Sequence, residues 1–283
     1  MNPRPCIVDS ITAVPADARG HAVVCASHGG RYAAYCAKNA GVSAVVFNDA
    51  GIGRERAGVA GLEWLAQWLI PAAAVSCVSA RIGDGHDTFE RGVVSTVNDP
   101  ALALGVRPGM RASEVAERFC AAEARGNPGS DAGSFTAEAR SAVEGFGDVP
   151  VLSLDSASLV TASDRDAIVI TASHGGLVGG DPHYAIKADV FAAFFNDATI
   201  GIDNAGIGRL APLDARGIAA VTVSAWSARI GDGRSTLDDG FISAANARAQ
   251  SLGAEVGLAA RAWVERLAEQ WPRRTSRSQG PTA

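Results

Sequence analysis

Eight short apolar runs punctuate the chain: HAVVCAS (21–27), SAVVFND (43–49), AAAVSCVS (72–79) and GVVSTVN (92–98), then AIVITAS (167–173), FAAFFND (191–197), AAVTVSAWS (219–227) and GFISAAN (240–246). Continuous apolar runs of this length, bounded by Gly and followed by helical stretches, predict parallel strands covered on both faces. RYAAYCAKNAG (31–41) reads as a helix ending at Gly41, a residue suited to the left-handed C′ position. Closing helices follow at RASEVAERF (111–119) and ARAWVERL (260–267). Strands alternating with helices give an α/β class with a mostly parallel sheet.

The second four runs repeat the surroundings of the first four. ASHGG at 26–30 returns at 172–176, FNDA at 47–50 at 195–198, and SARIGDG at 79–85 at 227–233. Across 43–105 and 191–253, 29 of 63 aligned positions are identical. The chain therefore reads as a tandem duplication of a unit of ordinary domain size. The predicted organisation is a first α/β repeat (1–122), a linker without counterpart (123–148), a second α/β repeat (149–270) and a disordered basic tail (271–283), with the repeats in a pseudo-two-fold arrangement. Within the linker, FTAEARSAVE (135–144) reads as a short helix.

Charge narrows the partners. A formal net charge of −5 gives no long-range attraction for nucleic acid or an acidic membrane. No segment approaches the ~18 apolar residues of a membrane span, and the start lacks the pattern of a signal peptide. The five cysteines, Cys6, Cys25, Cys36, Cys77 and Cys120, form an odd set confined to the first repeat. They read as small hydrophobes in a cytoplasmic protein, with no disulfide framework or thiolate zinc site. Homo-oligomerisation is left open.

Ligands of parallel sheets bind at the carboxyl ends of the strands. The repeated polar residues fall there: Ser27, His28, Gly29 and Gly30; Asn48 and Asp49; Ser79 and Arg81; and Asn98 after the fourth run. The second set is Ser173, His174, Gly175, Gly176, Asn196, Asp197, Ser227, Arg229 and Asn246. His28 and His174 are the repeated histidines and fit general acid–base work. Asp49 and Asp197 could orient them or take a proton, or could satisfy loop amides as Asn48 and Asn196 would. Ser79 and Ser227 are candidate nucleophiles without a sequence-local base, and Ser27 competes for that role. The Gly29-Gly30 and Gly175-Gly176 amides could cradle an oxyanion. Arg81 and Arg229 must meet either a carboxylate such as Asp49 or Asp84 or an anionic substrate.

Known motifs are few. The SHGG letters resemble the HGG-type oxyanion loop of lipases, but no G-x-S-x-G elbow exists, which excludes an α/β-hydrolase. No G-x-G-x-x-G or Walker A sequence supports nucleotide binding. A metal set would have to combine His28, Asp49 and His174 without a clustered histidine pair, so neither metal nor cofactor is expected. The second repeat inserts GLVGGDPHY (176–184), a Gly-rich stretch that reads as a mobile lid over His174. The expected function is hydrolysis of an amide or ester bond, open-chain or cyclic, in a small polar anionic substrate. A lyase or isomerase would need the same residues, and a non-catalytic anion-binding or sensory protein is the alternative.

Overall fold

The computed structural model describes residues 4–122 and 138–275, the last four by backbone alone. In the first half, the strands are β1 (Cys6–Val8), β2 (Ala22–His28), β3 (Ala44–Asn48), β4 (Ala72–Val75) and β5 (Val94–Val97). Its helices are α1 (Arg31–Ala40), α2 (Ala60–Ala66), α3 (Gly85–Arg91), α4 (Asp99–Ala103) and α5 (Ala112–Ala122). The second half carries β6 (Arg140–Ala142), β7 (Val151–Leu154), β8 (Ile168–His174), β9 (Ala192–Asn196), β10 (Ala219–Val223) and β11 (Ile242–Ala245). Its helices are α6 (Leu210–Ala215), α7 (Gly233–Asp238), α8 (Ala247–Ser251) and α9 (Ala260–Thr275). The fold is α/β with two sheets, ordered β1-β2-β3-β4-β5 and β11-β10-β9-β8-β7-β6. Pairing is parallel from β1 to β4 and from β7 to β10.

Covering on both faces explains the unbroken apolar runs. Val45 and Phe47 of β3 pack with Ala34, Leu62 and Leu65 from α1 and α2, while Val46 faces Val115 and Phe119 of α5. In the second sheet, Phe194 packs on Trp263 of α9 and Phe195 on Leu213 of α6. Helix α1 ends as its sequence predicts, with Gly41 at φ +72° and its amide donating to the Ala37 and Lys38 carbonyls. Among the described residues no helix is long and apolar enough to cross a membrane.

Three expectations need correction. The runs at 92–98 and 240–246 are strands, but β5 and β11 are antiparallel to their neighbours, which moves Asn98 and Asn246 to the opposite edge of the sheets. There each caps a short helix: Asn98 accepts from the Ala101 and Ala72 amides and donates to the Leu62 and Ile70 carbonyls. Second, residues 140–142 form a strand where a helix was expected; residues 135–137 of that stretch lie outside the described residues. The free edge of β7 supplies pairing partners, and Arg140 locks the strand by a two-pronged pair with Asp164, so edge pairing overrides helix propensity. The linker thus contributes to the second sheet. Third, residues 271–275 continue α9, with the Trp271 indole donating to the Asp166 carbonyl; the rest of the expected tail lies outside the described residues.

The halves meet through two strained turns. Ala50, Gly51, Ile52 and Gly53 all have positive φ, and so do Ala198, Thr199, Ile200 and Gly201. Four consecutive left-handed residues, with β-branched side chains among them, are costly and persist only under strong local constraint. The turns abut: a Cβ on Gly51 would lie 2.1 Å from Thr199 Oγ1. Main-chain bonds then cross reciprocally, Arg54 N–H to the Ala225 carbonyl and Ile202 N–H to the Cys77 carbonyl, each 2.8 Å. Ala50, Ile82, Ala198 and Ile230 form a small apolar cluster at this junction.

Candidate functional site

The constraint on the turns comes from the Asn-Asp pairs. Asp49 Oδ1 accepts from the Gly51 and Cys77 amides at 2.8 and 2.9 Å, and its Oδ2 accepts from the Ser95 hydroxyl at 2.7 Å. Asp197 Oδ1 accepts from Thr199 and Ala225, both at 2.8 Å. Asn48 accepts from Ala50 N–H and donates to the Ala80 carbonyl, and Asn196 does the same with Ala198 and Ala228. These four side chains are buried beneath the turns and do not line the large cavity. Ser79 and Ser227 are also committed to loops: each hydroxyl donates three residues back, to Ser76 or Ser224, and accepts from Val93 or Phe241 N–H.

The two arginines of the repeated heptapeptide meet carboxylates across the junction. Arg81 pairs with Asp203 at 3.0 Å and also approaches Asp84 and Asp87. Arg229 pairs with Asp232 at 2.9 Å and Glu55 at 3.1 Å. These pairs are largely exposed, so they fix the docking register more than they add stability. Arg229 borders the cavity; Arg81 does not.

His28 and His174, one from each half, line the same cavity of about 1300 Å³. Each ends its strand just past a break in register, and the following glycine amide is spent on the next strand: Gly29 N–H on the Asn48 carbonyl, Gly175 N–H on the Asn196 carbonyl. The anticipated Gly-Gly cradle is thereby reduced. Gly30 lines the cavity and caps α1, and the amides of Gly30, Arg31 and Ala33 have no acceptor among the described residues. Gly176 instead turns its carbonyl to Arg209. Each imidazole lies against the heptapeptide turn of the other half: His174 Cε1 is 3.5 Å from where a Gly83 Cβ would sit, and His28 Nε2 is 3.5 Å from that of Gly231.

Burial holds both rings neutral. His28, partly open to the cavity, is pushed down to about 4 by desolvation. His174 is pushed well below its ordinary value by burial first, then by the Arg209 charge and by His28, with the Gly176 carbonyl opposing. Its Nδ1 is buried without a hydrogen-bond partner among the described residues.

Two functional candidates escaped the sequence reading. Glu138, in the stretch without counterpart, lines the cavity beside Ser156, Ser158 and Asp155. Burial raises it to about 7; the two serines oppose this and Asp155 adds to it. Arg209 is 5% exposed and also borders the cavity. Its Nε donates to the His174 and Gly176 carbonyls and its Nη1 to those of Tyr184 and Ala185. Burial lowers it to about 10, so it is cationic at neutral pH. The 176–184 stretch forms short 3₁₀ turns along the cavity, fastened by Gly179 N–H to the Gly83 carbonyl of the other half.

The buried rings predict a pH dependence. An unfolded histidine protonates near 6.5, while folded His28 resists down to about 4. Across that window the unfolded chain holds more protons, so stability falls as pH falls. Glu138 acts oppositely: its contribution is full below 4.5 and is lost as pH rises through about 7. Asp197, which burial also raises, acts as Glu138 does, so the histidine contribution, a loss of stability from about pH 6.5 to 4.5, is read by substitution in urea denaturation. His28→Gln and His174→Gln should flatten that loss; an unchanged slope in both would refute the assignment.

Among the described residues no three His, Cys, Asp or Glu side chains are grouped to hold a metal ion. No protein-family model, curated protein or solved structure matches this chain.

Proposed function

We propose that this chain is an enzyme that binds a small polar anionic molecule in the cavity between the two sheets and hydrolyses an amide or ester bond in it. The observation that carries the reading is that two neutral histidines from different halves share one large cavity. A neutral imidazole accepts a proton from water at physiological pH, and Glu138, raised to about 7, can return one to the leaving group. The unspent amides of Gly30, Arg31 and Ala33 suit a developing oxyanion. In this reading Asp49, Asp197, Ser79 and Ser227 serve the turns and the histidines do the proton transfer. The halves are taken as copies of one duplicated unit about an approximate two-fold axis, a view supported by the 29 identities and the reciprocal junction bonds. The free thiols of Cys6, Cys25, Cys36 and Cys77 suit a reducing cytoplasm.

The test incubates the full chain in ¹⁸O-labelled water with a panel of small carboxylates bearing amide, ester, lactam or lactone bonds, followed by mass spectrometry. Hydrolysis incorporates one label; an isomerase or lyase product lacks that pattern. His28→Gln and His174→Gln should each lower kcat by ~10²–10⁴-fold while still melting cooperatively, with the larger loss at the more enclosed His174. Turnover indifferent to both variants overturns the reading, and modest affinity loss without turnover indicates a binding protein.

A further inference from the structure

The second half differs from the first where Arg209 stands at the position of Gly61. The aligned amides bond alike, Gly61 N–H to the Gly29 carbonyl and Arg209 N–H to the Gly175 carbonyl. In the first half, α1 packs over Gly61 so closely that a Cβ there would meet the Gly30 oxygen at 2.4 Å. The second half has no such helix, and the arginine side chain occupies that region, binding carbonyls from both ends of the 174–185 stretch.

Every acceptor of this buried cation is a main-chain carbonyl. Nε and Nη1 are spent on them, and Nη2 makes no hydrogen bond among the described residues. Arg209 borders the cavity, and His174, 9% exposed with Nδ1 unpartnered, follows on the same wall. Next come His28 and Gly30, the cap of α1, whose ten residues direct their amino-terminal dipole and unspent amides at the cavity beside Arg31. A buried charge without a counter-ion is costly, and a bound anion removes that cost.

We infer that Arg209, beside His174, forms the subsite for an oxyanion of the ligand, a carboxylate or a phosphate. This rests on reading the cavity as the substrate site. Arg209 Nη2 offers two N–H groups and no free fork, so it engages one edge of the anion, and the α1 amides beyond the two histidines are left for the developing oxyanion.

The test titrates inorganic phosphate and, separately, acetate into full-length chain labelled with ¹⁵N-histidine and ¹⁵N-arginine. Saturable shifts of the His174 ring and the Arg209 guanidinium, sharing one Kd, are expected; the tighter probe identifies the oxyanion type. Arg209→Lys should weaken binding by about tenfold or more, the worth of a charge-assisted bond. If Arg209→Lys does not fold, the wild-type shifts decide. Shifts absent from His174 and Arg209, or unaltered affinity in a folded Arg209→Lys, overturn the inference. Hydrolysis without saturable anion shifts at His174 and Arg209 overturns the inference and leaves the enzyme reading intact, while anion binding without hydrolysis does the converse.

Discussion

Asp49→Ala should cost about 3–5 kcal/mol of folding stability, because it strands the buried Cys77 amide and the Gly51 amide and leaves the Ser95 hydroxyl only the longer bond to the Ala74 carbonyl. Asp197→Ala should cost a similar amount through the Thr199 and Ala225 amides. Each carboxylate ties the left-handed turn to the loop after the next strand, so its loss frees both segments. The Asn variants separate hydrogen bonding from charge. An amide oxygen can still accept from both N–H groups, and Asp197→Asn also relieves a carboxylate whose pKa burial raises. Asp197→Asn should therefore be the mildest of the four. The pair Asp49→Ala/Asp197→Ala removes a large share of the 5–15 kcal/mol typical of a domain and should not fold cooperatively. Urea denaturation of the full chain reads all of these, and an Asp49→Ala variant within about 1 kcal/mol of wild type would remove the clamp role.

These carboxylates show where the sequence was legible. Period and length located β2, β3, β4, β8, β9 and β10, because residues buried on both faces must be continuously apolar, as AVVF and AAFF are; the three- and four-residue strands β1 and β7 are too short to stand out as such runs. The direction of the fourth apolar run was not legible: antiparallel and parallel edge strands share a pattern, and only the path through α3 and α7 decides it. The same uncertainty moved Asn98 and Asn246 to the wrong edge. Repetition correctly drew attention to Asn48, Asp49, Ser79 and Arg81, yet repetition marks whatever both halves need, and both halves need their turns and junction held. Cavity residues outside the repeats carried no such mark. Glu138 lies in a stretch without counterpart, and Arg209 replaces a glycine. The one available signal for Arg209 was the coincidence of that replacement with the loss of the RYAAYCAKNA helix from the second half. An arginine that appears where a packed helix disappears points to a buried guanidinium filling the gap.

Gly206→Ala and Gly58→Ala should be as damaging as loss of a clamp, for a purely steric reason. Neither residue has positive φ, so an alanine suffers no backbone penalty there. A Cβ on Gly206 would lie 1.9 Å from the Asp197 carbonyl oxygen and 2.9 Å from that of Ile200. On Gly58 it would lie 2.3 Å from the Asp49 oxygen and 3.1 Å from that of Ile52. Those oxygens cannot retreat cheaply, because they close the left-handed turns: Ile200 N–H bonds the Asp197 carbonyl at 2.6 Å, and Gly206 N–H bonds that of Ile200 at 2.7 Å. A methyl group thus competes with the bonds that hold four strained residues, and each variant should lose about 3 kcal/mol or more. Gly217→Ala is the control. It has φ +70° and nothing within 4 Å, so it should cost only the ~1–2 kcal/mol of a left-handed alanine. The turns also hold the two halves together, and with them the contacts of Gly83 on His174 and Gly231 on His28. Gly206→Ala should therefore weaken phosphate binding along with stability, while Gly217→Ala leaves the anion affinity unchanged. If Gly217→Ala proves the more destabilising, backbone conformation and not the packed turn controls the junction.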